Sequence, residues 1–370
     1  MTIHVFIAHM GLGGAERVCV TLANEWAARG HEVHIVTLNL DNDINTRNLS
    51  EDINVHSLGV SRLRYSFLPI FKYIKKHKPK FMLVFGNEMA IIIQKLKDLH
   101  LVNVKLVVRV LNNVNISLAK EDNISPVVEN YLKSAQKNLS RMDHIIAQCE
   151  DMGMQLVNRG LVIKDKLSVI YNPVSDIIID KTDKEREAAK AAGAKVSDKK
   201  EVVFIGRIDP QKNVADLIGA FALVKKAVPE VLLRIVGDGV LKGDCEDKVK
   251  DLGLTDDVIF DGIRTDMEKV YAAASVVALS SEYEGMPNCL IEAIGCGVPI
   301  VSYDCPIGPA EIVKDGVNGH LVPFSDKKAL ADGIINVLNK DWDRDIIRST
   351  CDKFRVGSVA DKYEEIFSKL

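Results

Sequence analysis

The sequence predicts an α/β protein built from two Rossmann-like, doubly wound parallel-sheet domains. Three observations carry that prediction. Short runs rich in Val and Ile alternate with helical patterns along the 370 residues. The runs lack a clean apolar–polar alternation, as expected for parallel strands covered on both faces. Each half of the chain opens with a strand running into glycine, and the length suits two domains of ordinary size.

In the first half, strands are expected at 4–8, 33–38, 81–85, 105–110 and 144–147, with helices at 15–29, 68–78 and 126–140. Ser168-Val169-Ile170-Tyr171-Asn172-Pro173 closes this series, and a polar stretch rich in Lys, Asp and Ala, 176–200, separates it from the next. The second half has strands at 202–205, 232–236, 258–260, 276–279 and 300–302, and helices at 214–228, 267–274, 288–296 and 327–338. The expected domains are therefore 1–173 and 174–355, facing across a cleft and hinged near Pro173, with sites at the carboxyl ends of the strands.

Composition narrows the function classes. Apolar residues make up 47% and charged residues 27%, as in soluble globular proteins. A formal net charge of −3 gives no ground for a nucleic-acid partner. Seven cysteines are scattered with no Cys-x-x-Cys pair, which points to reduced thiols rather than disulfides or a zinc framework. Met1-Thr2-Ile3-His4 enters a strand with no signal-peptide pattern, and the apolar stretch 81–93 is broken by Gly86, Asn87 and Glu88 and too short to span a bilayer. A cytoplasmic protein is expected.

The first strand runs into Gly11-Leu12-Gly13-Gly14-Ala15-Glu16 and then a helix. Glycines there let backbone approach a ligand, and a helix N-terminus favours an anion. A nicotinamide fingerprint is excluded twice over. Glu16 stands where a third glycine belongs, and the second strand ends Thr37-Leu38-Asn39 with no acid for a ribose. Between Arg62 and Lys80 lie seven Lys/Arg and no acid, with Phe67, Ile70, Phe71 and Ile74 at helical spacing. That pattern suits either an amphipathic helix on an anionic membrane or a core-facing helix with a solvated basic face.

The second half carries the denser chemistry. Gly206-Arg207-Ile208-Asp209-Pro210-Gln211-Lys212 links a strand to a helix, and offers a planar guanidinium and a mobile ammonium to a diphosphate. Gly237-Asp238-Gly239 reads as a tight turn, and Gly262-Ile263-Arg264 ends another strand where backbone groups are offered to a base. Glu284 and Glu292, eight positions apart across a strand-to-helix junction, suit two hydroxyl pairs of one elongated ligand. Glu at a helix start is also favoured by the helix dipole alone.

Taken together, these motifs resemble the retaining GT-B glycosyltransferases of family four, and more narrowly bacterial enzymes that elongate lipid-linked glycans, O-antigen or capsule units. The resemblance covers nearly the whole chain. It runs through Gly13-Gly14-Ala15-Glu16-Arg17, Gly30-His31-Glu32-Val33, Asn172-Pro173, Gly206-Arg207 with Lys212, and Gly237-Asp238-Gly239. It continues through Ser280-Ser281-Glu282-Tyr283-Glu284-Gly285-Met286-Pro287, Glu292 and Asp304-Cys305-Pro306-Ile307-Gly308-Pro309-Ala310-Glu311-Ile312.

The resemblance implies that Arg207 and Lys212 bind the donor diphosphate, backed by Gly13 and Gly14 of the first domain. It implies that Glu284 holds sugar hydroxyls and Glu292 the ribose, with the backbone around Gly285, Met286, Pro287 and Asn288 on the sugar. Such enzymes need no metal or other cofactor, so the Asp41-x-Asp43 and Asp341-x-Asp343 triplets are expected to be loop and cap acids. A helix over 356–370 is expected to cross back onto the first domain.

One departure concerns the acceptor side. Many relatives place a His just after the strand ending at Val110, where this chain has Arg109-Val110-Leu111-Asn112-Asn113. Arg109, Asn112 and Asn113, together with His9 near the glycine loop, are the acceptor-side candidates. The expected activity is transfer of a hexose or N-acetylhexosamine from a UDP-sugar, with retention, to a lipid-linked saccharide at an anionic membrane surface. A UDP-sugar epimerase of the same architecture and a non-catalytic nucleotide-sugar-binding module are the alternatives.

Overall fold

The computed structural model describes residues 1–40, 44–111, 137–193 and 199–370, and the statements below concern these. The chain forms two Rossmann-like units, Met1–Pro173 with Val356–Leu370, and Val174–Arg355.

The first unit runs β1 (Thr2–Phe6), α1 (Gly14–Ala28), β2 (Glu32–Thr37), β3 (Asn54–Ser57), α2 (Phe67–His77), β4 (Phe81–Phe85), α3 (Asn87–Asp98), β5 (Lys105–Arg109), β6 (His144–Ala147), α4 (Glu150–Asn158) and β7 (Leu167–Val169). Its seven described strands lie in the order β3-β2-β1-β4-β5-β6-β7, every neighbouring pair parallel. The central strand β4 is buried along its whole length, which explains its continuous apolar sequence.

The second unit begins with α5 (Asp176–Ala191) and continues β8 (Lys200–Ile205), α6 (Val214–Ala227), β9 (Val231–Val236), α7 (Lys242–Asp251), β10 (Val258–Gly262) and α8 (Met267–Ala273). It ends with β11 (Val276–Leu279), α9 (Asn288–Gly295), β12 (Ile300–Tyr303), α10 (Pro309–Ile312), β13 (Gly319–Val322), α11 (Lys327–Leu338) and α12 (Arg344–Ser349). Its sheet order is β10-β9-β8-β11-β12-β13, again all parallel. The order reverses direction at β8 and β11, so the loops after those two strands diverge and leave a crevice at their carboxyl ends.

The polar stretch 176–200, expected as a separator, instead holds the 16-residue helix α5. Ser175 caps it by accepting from the Ile177 amide at 3.2 Å. Only a narrow stripe of α5 is apolar, with Ile179 and Thr182 buried. Arg186 fastens the helix by donating to the carbonyls of Cys296 at 2.6 Å and Tyr271 at 3.0 Å. The expected helix 126–140 lies largely outside the described residues, as do Asn112, Asn113 and the Asp41-x-Asp43 triplet.

Helix α13 (Val356–Ser368) belongs to the first unit although it follows the second in sequence. Tyr363 and Phe367 pack on Trp26 with ring centroids 5.6 and 5.7 Å away, and Phe367 stacks on Phe81 at 4.4 Å. Arg29, just past the end of α1, donates to Asp361 at 2.6 Å and to Glu364 at 3.0 Å.

Arg109 completes this docking and corrects an expectation. Its side chain is 1% exposed and donates to the Tyr363 hydroxyl, the Asn172 side-chain oxygen and, at 3.3 Å, the Ile170 carbonyl. The guanidinium is consumed inside the unit and does not face an acceptor. What buries it, at the carboxyl end of β5, is the segment holding Ile170 and Asn172 together with Tyr363 of α13. Tyr363→Phe removes one acceptor from this buried cation and is expected to destabilise the first unit by about 1–3 kcal/mol. Trp26→Ala, which empties the α13 seat, is expected to cost about 3–5 kcal/mol. Amide hydrogen exchange along β4 and β5 measures both effects, and unchanged protection in either variant contradicts this account of the docking.

Candidate active site

The predicted donor-site residues of the second unit converge on the loops after β8, β9 and β11. The turn Gly237-Asp238-Gly239 is pressed against the loop after β8. Gly206 donates to the Val236 carbonyl at 3.0 Å and Ile208 to the Asp238 carbonyl at 2.9 Å. A Cβ at Gly237, where φ is +138°, would fall 1.8 Å from the Gly206 carbonyl oxygen. Only glycine permits this approach.

The loop after β8 is also stitched to the loop after β11. Glu282 donates its amide to the Gln211 carbonyl at 2.8 Å, and Gln211 Nε2 donates to the Tyr283 carbonyl at 3.0 Å. Asn213 Nδ2 reaches Glu282 Oε1 at 2.5 Å, and Ser280 Oγ donates to the carbonyls of Lys212 and Asn213.

At the centre of this stitching, Lys212 Nζ lies 2.6 Å from Glu284 Oε1, with the two side chains 14% and 6% exposed. Ser281 Oγ donates to the same carboxylate oxygen at 2.6 Å. Burial alone would lower the Lys212 pKa, yet the Glu284 carboxylate outweighs it and holds the ammonium above its usual value. Lys212 and Glu284, expected to touch different parts of a ligand, are therefore each other's partner.

Arg207 is different. Its side chain is 68% exposed and is braced by Asp209 Oδ2 at 2.7 Å and Gln211 Oε1 at 3.0 Å. It presents a steadied guanidinium to solvent, the condition under which an anion can be gripped in two-pronged fashion.

Glu292 sits on α9, a helix buried almost throughout, and accepts from the Tyr271 hydroxyl at 2.7 Å through Oε2. Gly285, Met286 and Pro287 are buried and Asn288 half-buried at the start of that helix. Gly308 packs beneath them, since a Cβ there would stand 2.6 Å from the Gly285 carbonyl oxygen. Ile263 is exposed after β10. Asp343 of the second acidic triplet caps α12, accepting from the amides of Asp345 and Ile346.

Sequence reasoning missed three positioning residues, Tyr271, Ser281 and Asp209. Ser281 and Asp209 stood within quoted motifs without a role. Tyr271 sits in an ordinary apolar helix pattern that gives no signal.

In the first unit, Gly13 caps α1 and Gly14 is its first residue. The Glu16 carboxylate folds back so closely that a Cβ on Gly13 would stand 2.1 Å from Oε2. His9 is exposed just past β1. On α2, Ile70, Tyr73 and Ile74 are buried, so half of the predicted apolar stripe faces the unit's own core. Tyr65, Phe67 and Leu68 remain exposed, and so do Arg62, Arg64, Lys72, Lys75, Lys76, Lys78 and Lys80. Among the described residues no helix is long and apolar enough to cross a membrane.

Comparisons with known proteins bear on the family and the fold. The family described as Glycosyltransferase Family 4 matches residues 12–176, and Glycosyl transferases group 1 matches residues 185–353. Together they account for both units, and the chain belongs to the family-four GT-B glycosyltransferases. A lipopolysaccharide 1,6-galactosyltransferase of Escherichia coli is 30% identical over 54% of this chain and 52% of its own. A Campylobacter jejuni N-acetylgalactosaminyltransferase, whose name specifies a diphospho-undecaprenol-linked acceptor, is 26% identical over 97% of this chain and 98% of its own. The chain spans 19% to 62% of the lengths of the first curated relatives it matches. Among solved structures, Anabaena HepE in complex with UDP-glucose has a TM-score of 0.79 at 20% identity, with both chains covered in full.

The buried pair gives a direct test. Removing one member strands the other's charge, so Lys212→Met and Glu284→Gln should each destabilise the second unit by about 3–5 kcal/mol. The double variant should recover part of the loss. Because the lysine pKa is raised on folding, the lysine's contribution is complete below its ordinary value of 10.5 and is lost as pH rises through the higher folded value. Urea denaturation of the three variants measures this, and additive losses in the double variant argue against a coupled pair.

Proposed function

We propose that the protein transfers a hexose or N-acetylhexosamine from a UDP-sugar, with retention of configuration, to a lipid-linked saccharide in bacterial surface-glycan assembly. The observation that carries this reading is the exposed, braced Arg207 beside the buried Lys212–Glu284 pair, at the carboxyl ends of β8 and β11. Arg207 and Lys212 neutralise the diphosphate. Glu284 turns its remaining oxygen to sugar hydroxyls, and the backbone of Gly285–Asn288 follows the sugar. Glu292, oriented by Tyr271, takes the ribose.

The departing diphosphate then serves as the main base for the incoming hydroxyl. The protein contributes position and charge stabilisation rather than a nucleophile. Two cationic side chains meet the diphosphate charge, so no metal or other cofactor is assigned to the reaction. Names and ligands of the relatives support the reading, namely UDP-glucose in HepE and the diphospho-undecaprenol acceptor in the Campylobacter enzyme. Screening radiolabelled UDP- and GDP-sugars against membrane lipid extracts tests it. Label moved into lipid supports transfer, whereas only a free epimer or only bound donor overturns it.

The roles separate in titrations of UDP and UDP-sugar carried out in excess chelator. Arg207→Ala should weaken both ligands about ten- to a hundredfold, the loss of one charge-assisted contact. Glu292→Gln should weaken UDP itself, whereas Glu284→Gln should affect intact UDP-sugar more than UDP. Equal losses for both ligands in the two glutamate variants reject the division, and binding that requires added magnesium rejects the metal-free reading.

We further propose that the segment around α2 rests on anionic membrane. Exposed Tyr65, Phe67 and Leu68 offer shallow insertion beside the exposed basic residues, each worth about 1 kcal/mol near such a surface. Reversing Lys72, Lys75 and Lys76 to Glu should abolish most salt-sensitive sedimentation with anionic vesicles while leaving UDP binding unchanged. Identical sedimentation of variant and native protein would sink the membrane assignment.

A further inference from the structure

The edge of the first unit's sheet holds a concentration of imidazoles that the glycosyl-transfer reading does not use. Parallel pairing sets His4 beside His34, and Val36 beside His56. Because side chains alternate along a strand, His4, His34 and His56 share one face. Helix α2 covers that face and adds Tyr73 and His77. His34, His56 and His77 each bring a ring nitrogen within 4.8 Å of the other two.

The surroundings orient these rings as ligands. His34 Nε2 lies 3.2 Å from Glu32 Oε1, and Glu32 is itself held by Thr2 Oγ1 at 2.8 Å. With that N–H donated, Nδ1 of His34 carries the lone pair, and it faces His56 Nε2 at 2.9 Å. A carboxylate behind an imidazole is the usual support of a metal-bound histidine. His4, anchored to the Tyr73 hydroxyl at 2.7 Å, stacks on His34 at 4.6 Å with the planes 9° apart, fixing the ring further. His77 stacks on Tyr73 at 4.4 Å. His56 and His77 line a cavity of about 550 Å³, which gives an ion and a fourth ligand their way in.

We propose that His34, His56 and His77 form a binding site for one divalent transition-metal ion of the zinc class, with water or a small anion from the cavity as fourth ligand. A tetrahedral ion with bonds of about 2.0–2.1 Å holds its nitrogens roughly 3.3–3.4 Å apart. The widest separation, at most 4.8 Å, then needs to close by roughly 1.5 Å or less, within reach of small ring rotations. The ion displaces the proton shared between His34 and His56 and ties α2 to the edge strand β3. Three imidazoles with no thiolate or carboxylate among the ligands suit zinc, nickel or copper rather than magnesium or calcium.

Equilibrium dialysis of the full chain against zinc, without nucleotide, tests the site. The expected result is one ion per chain, with α2 and β3 amides gaining protection from hydrogen exchange. Cobalt substitution should give tetrahedral d–d bands without thiolate charge-transfer absorption, since all seven cysteines are free and buried and none belongs to the site. His56→Ala and His77→Ala should each lower affinity at least tenfold, and Glu32→Gln about ten- to a hundredfold. His100→Asn, on the surface elsewhere, should leave it unchanged. Absence of saturable uptake by the native protein overturns the proposal without recourse to any variant. So does equal uptake by folded His56→Ala and His77→Ala proteins, or a thiolate signature in the cobalt spectrum.

Discussion

A charge taken out of water must keep a partner, and the second unit is arranged around that constraint at Lys212 and Glu284. The two residues are 72 positions apart, on loops that leave different strands. Each loop is held by backbone and side-chain hydrogen bonds to the other, and Gly237 lets the neighbouring turn press close enough to support them. The pair does not stand ready as two separate contacts. In the proposed reaction, the diphosphate would compete with Glu284 for the ammonium, beside Arg207, which is already braced in solvent. Under that proposal, binding is an exchange of partners for a buried cation, not the filling of a vacancy.

Much of this was legible in the sequence, and the limits have physical reasons. Strands buried on both faces, such as β4 and β11, showed as continuous apolar runs and were placed with their correct ends. Strands β3 and β7 were missed because they are short and lie at the sheet edges, half-exposed, where no strong apolar pattern is required. Helix α5 was misread as a spacer because only a thin stripe of it packs inward, leaving a composition like that of a loop. Motif spacing singled out Arg207, Lys212, Glu284 and Glu292 as candidates. It was silent on their pairing, since spacing along one loop does not show what approaches from another.

Arg109 illustrates the converse error. Its position at a strand end was read correctly, but burial is a tertiary property, and the residues that bury it come from elsewhere in the chain. Tyr363, which accepts from its guanidinium, lies 254 positions away. The side chain therefore serves the integrity of the first unit, and the acceptor side of the family's reaction must be sought among groups that remain exposed. The same separation of roles holds for α2, whose Ile70 and Ile74 serve the core while Lys72, Lys75 and Lys76 face outward.

The docking of α13 has a consequence for biosynthesis. The second unit, Val174–Arg355, is contiguous and can close its core once Arg355 has cleared the ribosome. The first unit cannot. Although nearly all of it is synthesised earlier, Trp26, Phe81 and Arg109 acquire Tyr363 and Phe367 only when α13 has been translated. Nascent chains therefore carry an incompletely covered N-terminal sheet throughout synthesis of the second unit. The order in which the domains mature is the reverse of the order in which they are made.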